Sequence, residues 1–359
     1  MTKRYIILLL VIPFCLGNIW AKEYEKKKNR LILSPLMYYS PETSLAFGAA
    51  GSYIFRLPGN KESKLPSSIS SIFVYTLKKQ FRTETNGALY FKNNNYRAEA
   101  ELIFEKFPNK FFGIGSNTRE TDEEAFTPRN ISFQVSVLKK IIKGFNIGLG
   151  YQFQDWKIQE VEEGGQLASG EIVGSDRGRI SGIIFLLERD TRDQLFFPMK
   201  GDLFKFDARF YPQFLGSTFK FNSYTFDLRK YFTLFSSHVF AVQSLVKIQS
   251  GNVPFLLMAQ MGGLYTMRGY FEGRFRDKNL LVFQAEYRMP LFWRLGMVGF
   301  AGFGNVAEKF KQLDLGRLKS AYGVGLRYLF SKKENIYLRM DIGFGQNSSG
   351  FYFSIFEAF

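Results

Sequence analysis

In residues 204–210, Phe204, Phe206, Ala208 and Phe210 alternate with Lys205, Asp207 and Arg209. Successive side chains of a β-strand point to opposite faces, so this segment has one apolar face and one fully charged face. The pattern returns at 96–104, where Tyr96, Ala98, Ala100, Leu102 and Phe104 oppose Arg97, Glu99 and Glu101. At 224–229, Tyr224, Phe226 and Leu228 oppose Thr225, Asp227 and Arg229. At 336–344, Ile336, Leu338, Met340, Ile342 and Phe344 oppose Tyr337, Arg339 and Asp341. A soluble sheet also alternates, but it rarely sets three full charges against three phenylalanines in one strand. A wall between lipid and a wet lumen requires that arrangement. Lipid offers no hydrogen-bond partner, so only a closed, strand-paired barrel or a helix can cross it.

Composition agrees. The chain has 41 Phe and 19 Tyr, yet its mean hydropathy is only −0.12. The aromatics are spread among polar residues, as an apolar exterior over a polar interior demands. The period of two predicts strands near 31–40, 44–56, 67–79, 81–91, 96–106, 129–139, 144–156, 179–188, 201–211, 218–230, 237–248, 279–289, 295–304, 319–330, 335–345 and 350–359. The expected fold class is all-β: a transmembrane antiparallel β-barrel of about sixteen strands, an even number as bacterial single-chain barrels have. With both termini in the periplasm, the long links at 107–128, 157–178 and 249–278 all fall on the outer side. A pair of soluble β-sandwiches is the structural alternative.

One stretch is continuously apolar, Tyr5 to Leu16, behind Lys3 and Arg4. It is too short for a membrane helix, which needs roughly 20 residues. It reads as a secretory signal peptide over 1–21, with cleavage after Ala21. A lipoprotein reading would rest on Cys15, but Ile12-Pro13-Phe14 lacks the small residue expected before a lipidated cysteine. Residues 22–30 form a short basic periplasmic stub, and 31–359 the outer-membrane barrel. Cys15 is the one cysteine and His238 the one histidine. The mature chain is therefore expected to lack thiols and cofactors, and a multi-histidine metal site is impossible.

The formal charge is +16, and removing Lys3 and Arg4 with the signal leaves +14. The basic residues lie along strands and short turns, including Lys139, Lys140, Lys143, Lys332 and Lys333, with no RNA-binding motif. They suit a lumen lining rather than nucleic acid. Two outer links are acidic, with Glu120, Asp122, Glu123 and Glu124 in one and Glu160, Glu162, Glu163 and Glu171 in the other. No catalytic signature is present. His238 follows Ser236 and Ser237, but one histidine at a strand start reads more simply as a wall or turn residue, and the chain is expected not to be an enzyme.

Three segments stand out: Met267-Arg268-Gly269-Tyr270 in the longest outer link, Asp190-Thr191-Arg192-Asp193 followed by Phe197-Pro198-Met199-Lys200-Gly201, and the last strand ending in Phe359. Together they resemble the BamA/TamA superfamily of outer-membrane assembly and translocation barrels, the bacterial surface antigen family. Met267 to Tyr270 resembles its [VI]-R-G-[FY] loop-six motif, with Met in the first place. Asp190, Arg192, Asp193, Pro198 and Gly201 resemble its D-x-R-D…F-P-x-x-G turn, which reads as structural. Gln284 to Pro290 resembles the strand after the motif, and Phe359 the C-terminal assembly signal, in line with Phe351, Phe353 and Ile355 although Glu357 interrupts that face.

The resemblance implies that loop six folds into the lumen and that Arg268 meets a carboxylate there, with Glu286 at a matching position. The alternative for Arg268 is a solvated loop residue. The family's F-x-D-x-G appears here as Phe300-Ala301-Gly302-Phe303-Gly304, so one partner is expected for Arg268 rather than two. Residues 22–30 are too few for a POTRA domain, which implies a POTRA-less member. The implied function is assistance with insertion or translocation of protein or lipid at the outer membrane. The expected partners are outer-membrane lipid and client outer-membrane or secreted proteins, and the barrel is expected to be a monomer. A passive pore or surface-exposed antigen is the alternative. Pro35 lies in the first strand, where its missing N–H either weakens the seam between first and last strands or falls just before the first paired residue.

Overall fold

The computed structural model describes residues 29–40, 44–57, 66–194, 197–235, 237–331, 336–355 and 357–359. The proposed signal peptide, most of the stub, Ser236, Lys332 and Lys333 lie outside them. Sixteen long strands build the wall: β1 (Arg30–Ser40), β2 (Ser44–Phe55), β3 (Ser67–Thr76), β4 (Phe81–Phe91), β5 (Tyr96–Lys106), then, after the three-residue β6 (Asn109–Phe111), β7 (Glu124–Ile142), β8 (Phe145–Val161), β9 (Arg177–Asp190), β10 (Gly201–Tyr211), β11 (Phe221–Leu234) and β12 (His238–Gly251). A small hairpin follows, β13 (Ala259–Met261) and β14 (Phe275–Asp277). The wall then resumes with β15 (Asn279–Pro290), β16 (Leu295–Ala307), β17 (Lys319–Ser331), β18 (Ile336–Gly345) and β19 (Ser348–Ile355). β1 starts at Arg30, the last residue assigned to the stub.

Each long strand pairs antiparallel with the next long strand, β5 with β7 and β12 with β15 included. The alternation sets the faces. Phe283, Phe303, Tyr322, Val324, Leu326, Met340, Ile342 and Phe344 are exposed on the outside, while their neighbours Gln284, Glu286, Arg288, Arg327, Arg339 and Asp341 are buried inside. Several wall strands run longer than the periodicity indicates, β7 by the most. β7 and β8 extend past the apolar band at one end, Phe126 pairing with Val161, because their outer portions pack beneath loops.

That loop end has its own core. Phe111, Phe126, Trp156, Phe219, Val253 and Phe255 are buried together, with the Phe255 ring edge-on to Phe111 and Phe126. The links 107–123, 162–176 and 252–278 are thereby joined into a cap. Arg276, fully buried in β14, donates to the Lys110 carbonyl at 3.1 Å, and its backbone bridges Gly115. Burial pushes this guanidinium down to about 10, so it stays charged at neutral pH.

β1 pairs with β2 over its whole length and β19 pairs with β18, but among the described residues no ladder joins β1 to β19. Pro35 lies in the middle of the β1–β2 ladder, opposite Ala49, with Arg30 to Ser34 paired before it. It therefore does not precede the first paired residue. The last strand also ends early. Ile355 is its last paired residue, and Glu357, Ala358 and Phe359 are buried inside the lumen rather than prolonging the outward face. The reason is a better set of partners inside, described next.

Candidate functional site: the arginine cluster behind loop six

Loop six leaves β12 at Gly251, and its hairpin of β13 and β14 aims its tip into the lumen. Gly262 makes the narrow neck possible: it has φ 116°, and a Cβ there would lie 1.9 Å from the Phe271 carbonyl oxygen. Met261, Met267, Tyr270 and Phe275 pack on Leu280, Val282 and Val306 of the inner wall. Met267 adopts φ 60°, a conformation uncommon for a residue with a side chain. Its N–H donates to Gln284 Oε1 at 2.8 Å.

Arg268 is thereby driven into the wall, with 2 % of its surface exposed. Its guanidinium bonds Glu286 of β15 through one terminal nitrogen and Asp341 of β18 through the other, and lies face-on to Phe300 at 3.6 Å. The expectation of one carboxylate is corrected: Asp341 supplies the second, from a different strand. Gly302 accounts for the departure. A Cβ on Gly302 would lie 2.9 Å from the Met267 sulfur, so the larger first motif residue occupies the room where the family pattern places a carboxylate.

The pairing extends in two directions. Glu286 also accepts from Arg288 Nε at 2.9 Å. Asp341 also accepts from Arg327 Nη1 at 2.5 Å, and Arg339 lies 3.3 Å from it. Arg327 Nε in turn bonds both Glu357 oxygens at 2.8 and 2.9 Å. Arg268, Arg288, Arg327 and Arg339 thus surround Glu286, Asp341 and Glu357, all essentially buried. An isolated buried charge costs several kcal/mol; sharing Glu286 and Asp341 between guanidinia, with Glu357 on Arg327, is what lets so many stand together, charge-assisted bonds being about twice as strong as neutral ones.

The rest of the motif is held by backbone contact. Gly269 N–H donates to the Tyr352 hydroxyl at 2.8 Å. Tyr270 donates from its hydroxyl to the Ser320 carbonyl and accepts there from Gln346 N–H, both at 2.8 Å. A Cβ on Gly343 would sit 2.7 Å from Gly269 N, so the wall is bare where the loop lies.

The other sequence-marked segment closes the opposite end. Arg192 bonds Asp190 through Nε at 2.9 Å and Nη2 at 2.7 Å. Asp193 accepts from Met199 N–H at 3.0 Å, and Gly201 has φ 103° with Thr191 O 2.4 Å from where a Cβ would be. These contacts fix the turn so that Phe197 stacks on Tyr337 of β18, 4.3 Å between ring centres. The Pro198 carbonyl faces Arg288 at 3.5 Å. Arg288 therefore touches loop six's partner Glu286, the turn, and Phe359, whose carbonyl it reaches at 2.8 Å. Its importance was not visible in the sequence, where it is one more charge on an alternating strand.

His238 stands apart from all of this. Its Nδ1 lies 2.8 Å from the Tyr287 hydroxyl, on the outer face with exposed Phe240. Among the described residues no group of His, Cys, Asp and Glu is arranged to hold a metal.

An antiparallel barrel of sixteen wall strands, its lumen occupied by an inward-folded loop whose arginine is pinned to the wall, defines a class of outer-membrane-type barrel. The chain belongs to the Omp85 superfamily, whose domain model matches residues 67–359. Among solved structures it is similar to BamA from Haemophilus ducreyi lacking POTRA domains 1-3, at 14% identity and TM-score 0.63, covering 92% of this chain and 70% of that one. It is also similar to CdiB from Escherichia coli, at 8% identity and TM-score 0.60, covering 98% and 67%. CdiB from Acinetobacter baumannii, at 12% identity and TM-score 0.55, covers 91% of this chain and is itself covered over 59% of its length. At these identities the likeness is one of fold. No curated protein matches the chain.

Proposed function

We propose that the chain is an outer-membrane barrel that assists insertion or translocation of protein or lipid, and that it acts at the seam between β1 and β19. The observation that carries this reading is that Arg268 of loop six is pinned inside the barrel to Glu286 of β15 and to Asp341 of β18, next to the last strand. A strand edge that opens is a template for another strand. Pro35 supports the same reading, since proline within a sheet is confined to edge strands and bulges. So do membership of the Omp85 superfamily and the fold shared with BamA and CdiB. In this reading the turn end faces the periplasm, and loop six braces β15 against β18 from inside while the seam moves. No catalytic residue is assigned.

A passive pore or a surface antigen is the second reading. The buried loop cap and the arginine cluster oppose a constitutively open channel.

The test uses cysteines at Leu36 and, in turn, at Phe351, Tyr352, Phe353, Ser354 and Ile355, with Cys15 replaced by Ser. In proteoliposomes, the insertion rate of an unfolded barrel protein and the exchange of phospholipid between leaflets are measured before and after oxidation. The expected result is loss of activity on locking and recovery on reduction. Unchanged activity in a locked barrel sinks the gate. Steady ion conductance with neither activity favours the pore.

A further inference from the structure

We infer that Glu357–Phe359 is an intramolecular latch, a peptide ligand held in a site on the inner wall, and that its hold is coupled to loop six through shared carboxylates. The site is built from β11, β12, β15 and β17. Arg327 of β17 grips the Glu357 carboxylate with bonds of 2.8 and 2.9 Å, both side chains being 2 % exposed. Arg288 of β15 donates to the Phe359 carbonyl at 2.8 Å. Ala358 and Phe359 pack on Tyr231 of β11 and Ala241 of β12, which lie well away from β19 around the wall. A buried carboxylate on a buried guanidinium is a specific, water-excluded contact, unlike a frayed chain end.

The consequence for the wall follows from register. β19 runs toward the turn end and its last pair is Ile355 with Leu338. Residues 357–359 lie in the lumen instead, on β11 and β12.

The coupling has two parallel paths. Arg268 shares Glu286 with Arg288, which holds Phe359; Arg268 also shares Asp341 with Arg327, which holds Glu357. Withdrawal of Arg268 leaves two buried carboxylates each short of a partner. They then compete with the tail for Arg288 and Arg327. Movement of loop six is thereby transmitted to the end of the last strand through side chains alone. The inference is independent of what the barrel transports, and its readout is thiol exposure rather than transport.

The test is made in the full chain with Cys15 replaced by Ser and a single thiol at Ala358, a residue buried in the latched state. Its rate of reaction with a bulky maleimide in detergent is compared with that of a thiol at exposed Phe235. The expected rate is far below the Phe235 control, rising about tenfold or more with Arg327→Ala and with Glu357→Gln, as for a locally opened segment. Arg268→Ala is expected to raise it as well, by a smaller factor. Heat-modifiable gel migration verifies that each barrel is folded, and Glu357→Gln serves if Arg327→Ala does not fold. A parent rate equal to the Phe235 control overturns the latch. Acceleration by Glu357→Gln with none from Arg268→Ala overturns the coupling.

Discussion

Arg268 and Asp341 form a buried ion pair although 73 residues separate them, one on the tip of a loop and the other in the middle of a wall strand. The pair holds loop six to the same wall strands that lead to the seam.

Substituting Arg268 by Ala is expected to leave the barrel folded while loosening loop six. Breaking one partner out of a buried ion pair costs about 3–5 kcal/mol, reduced here because Glu286 keeps Arg288 and Asp341 keeps Arg327. Glu286→Gln is expected to mimic it, and the double variant to be no worse than either single. Urea unfolding and protease cleavage within 262–274 provide the measurement. Fully additive losses would show that the two residues act independently.

Restoring the family's carboxylate at position 302 is expected to harm the protein. Gly302→Asp puts a side chain where the Met267 sulfur lies, and overpacking costs about 1–3 kcal/mol. Met267→Val in the same chain should recover the loss by making room. Gly299→Ala, where a Cβ meets nothing within 4 Å, is the neutral control. If Met267→Val worsens Gly302→Asp, the two positions do not trade volume as argued.

The loop cap is expected to limit conductance. Phe255 is fully buried between Phe111 and Phe126, and Phe→Ala in such a core costs about 3–5 kcal/mol. In planar bilayers the parent should show at most brief openings, and Phe255→Ala longer and more frequent ones. Identical traces would mean that the cap does not govern the lumen.

The turn end is expected to lie at a membrane interface. Trp293 is 74% exposed at the tip of the β15–β16 turn, beside Arg294 at 5.6 Å, while Trp156 is buried in the cap with Nε1 bonded to the Gly174 carbonyl at 3.1 Å. Interfacial tryptophans mark the headgroup level. With Trp20 replaced by Phe, lipids brominated near the headgroup should quench Trp293 and spare Trp156. Quenching of Trp156 alone would invert the assignment of ends.

The sequence by itself determined the wall. A period of two with charges on one face and phenylalanines on the other dictates a strand, its two faces and an antiparallel membrane-spanning sheet, because each follows from side-chain direction and from lipid's lack of hydrogen-bond partners. It also placed Glu286 and Asp341 on the charged face and marked Arg268 by motif. Only the tertiary structure decided which of the inward charges meet. Asp341 replaces the carboxylate absent at Gly302, Arg288 joins turn, loop and tail, and Glu357 leaves the wall for Arg327. Those choices depend on how far the sheet curves and on which strands face one another across the lumen. Periodicity carries no information about either, since every inward charge satisfies the same local pattern until closure gives it a partner.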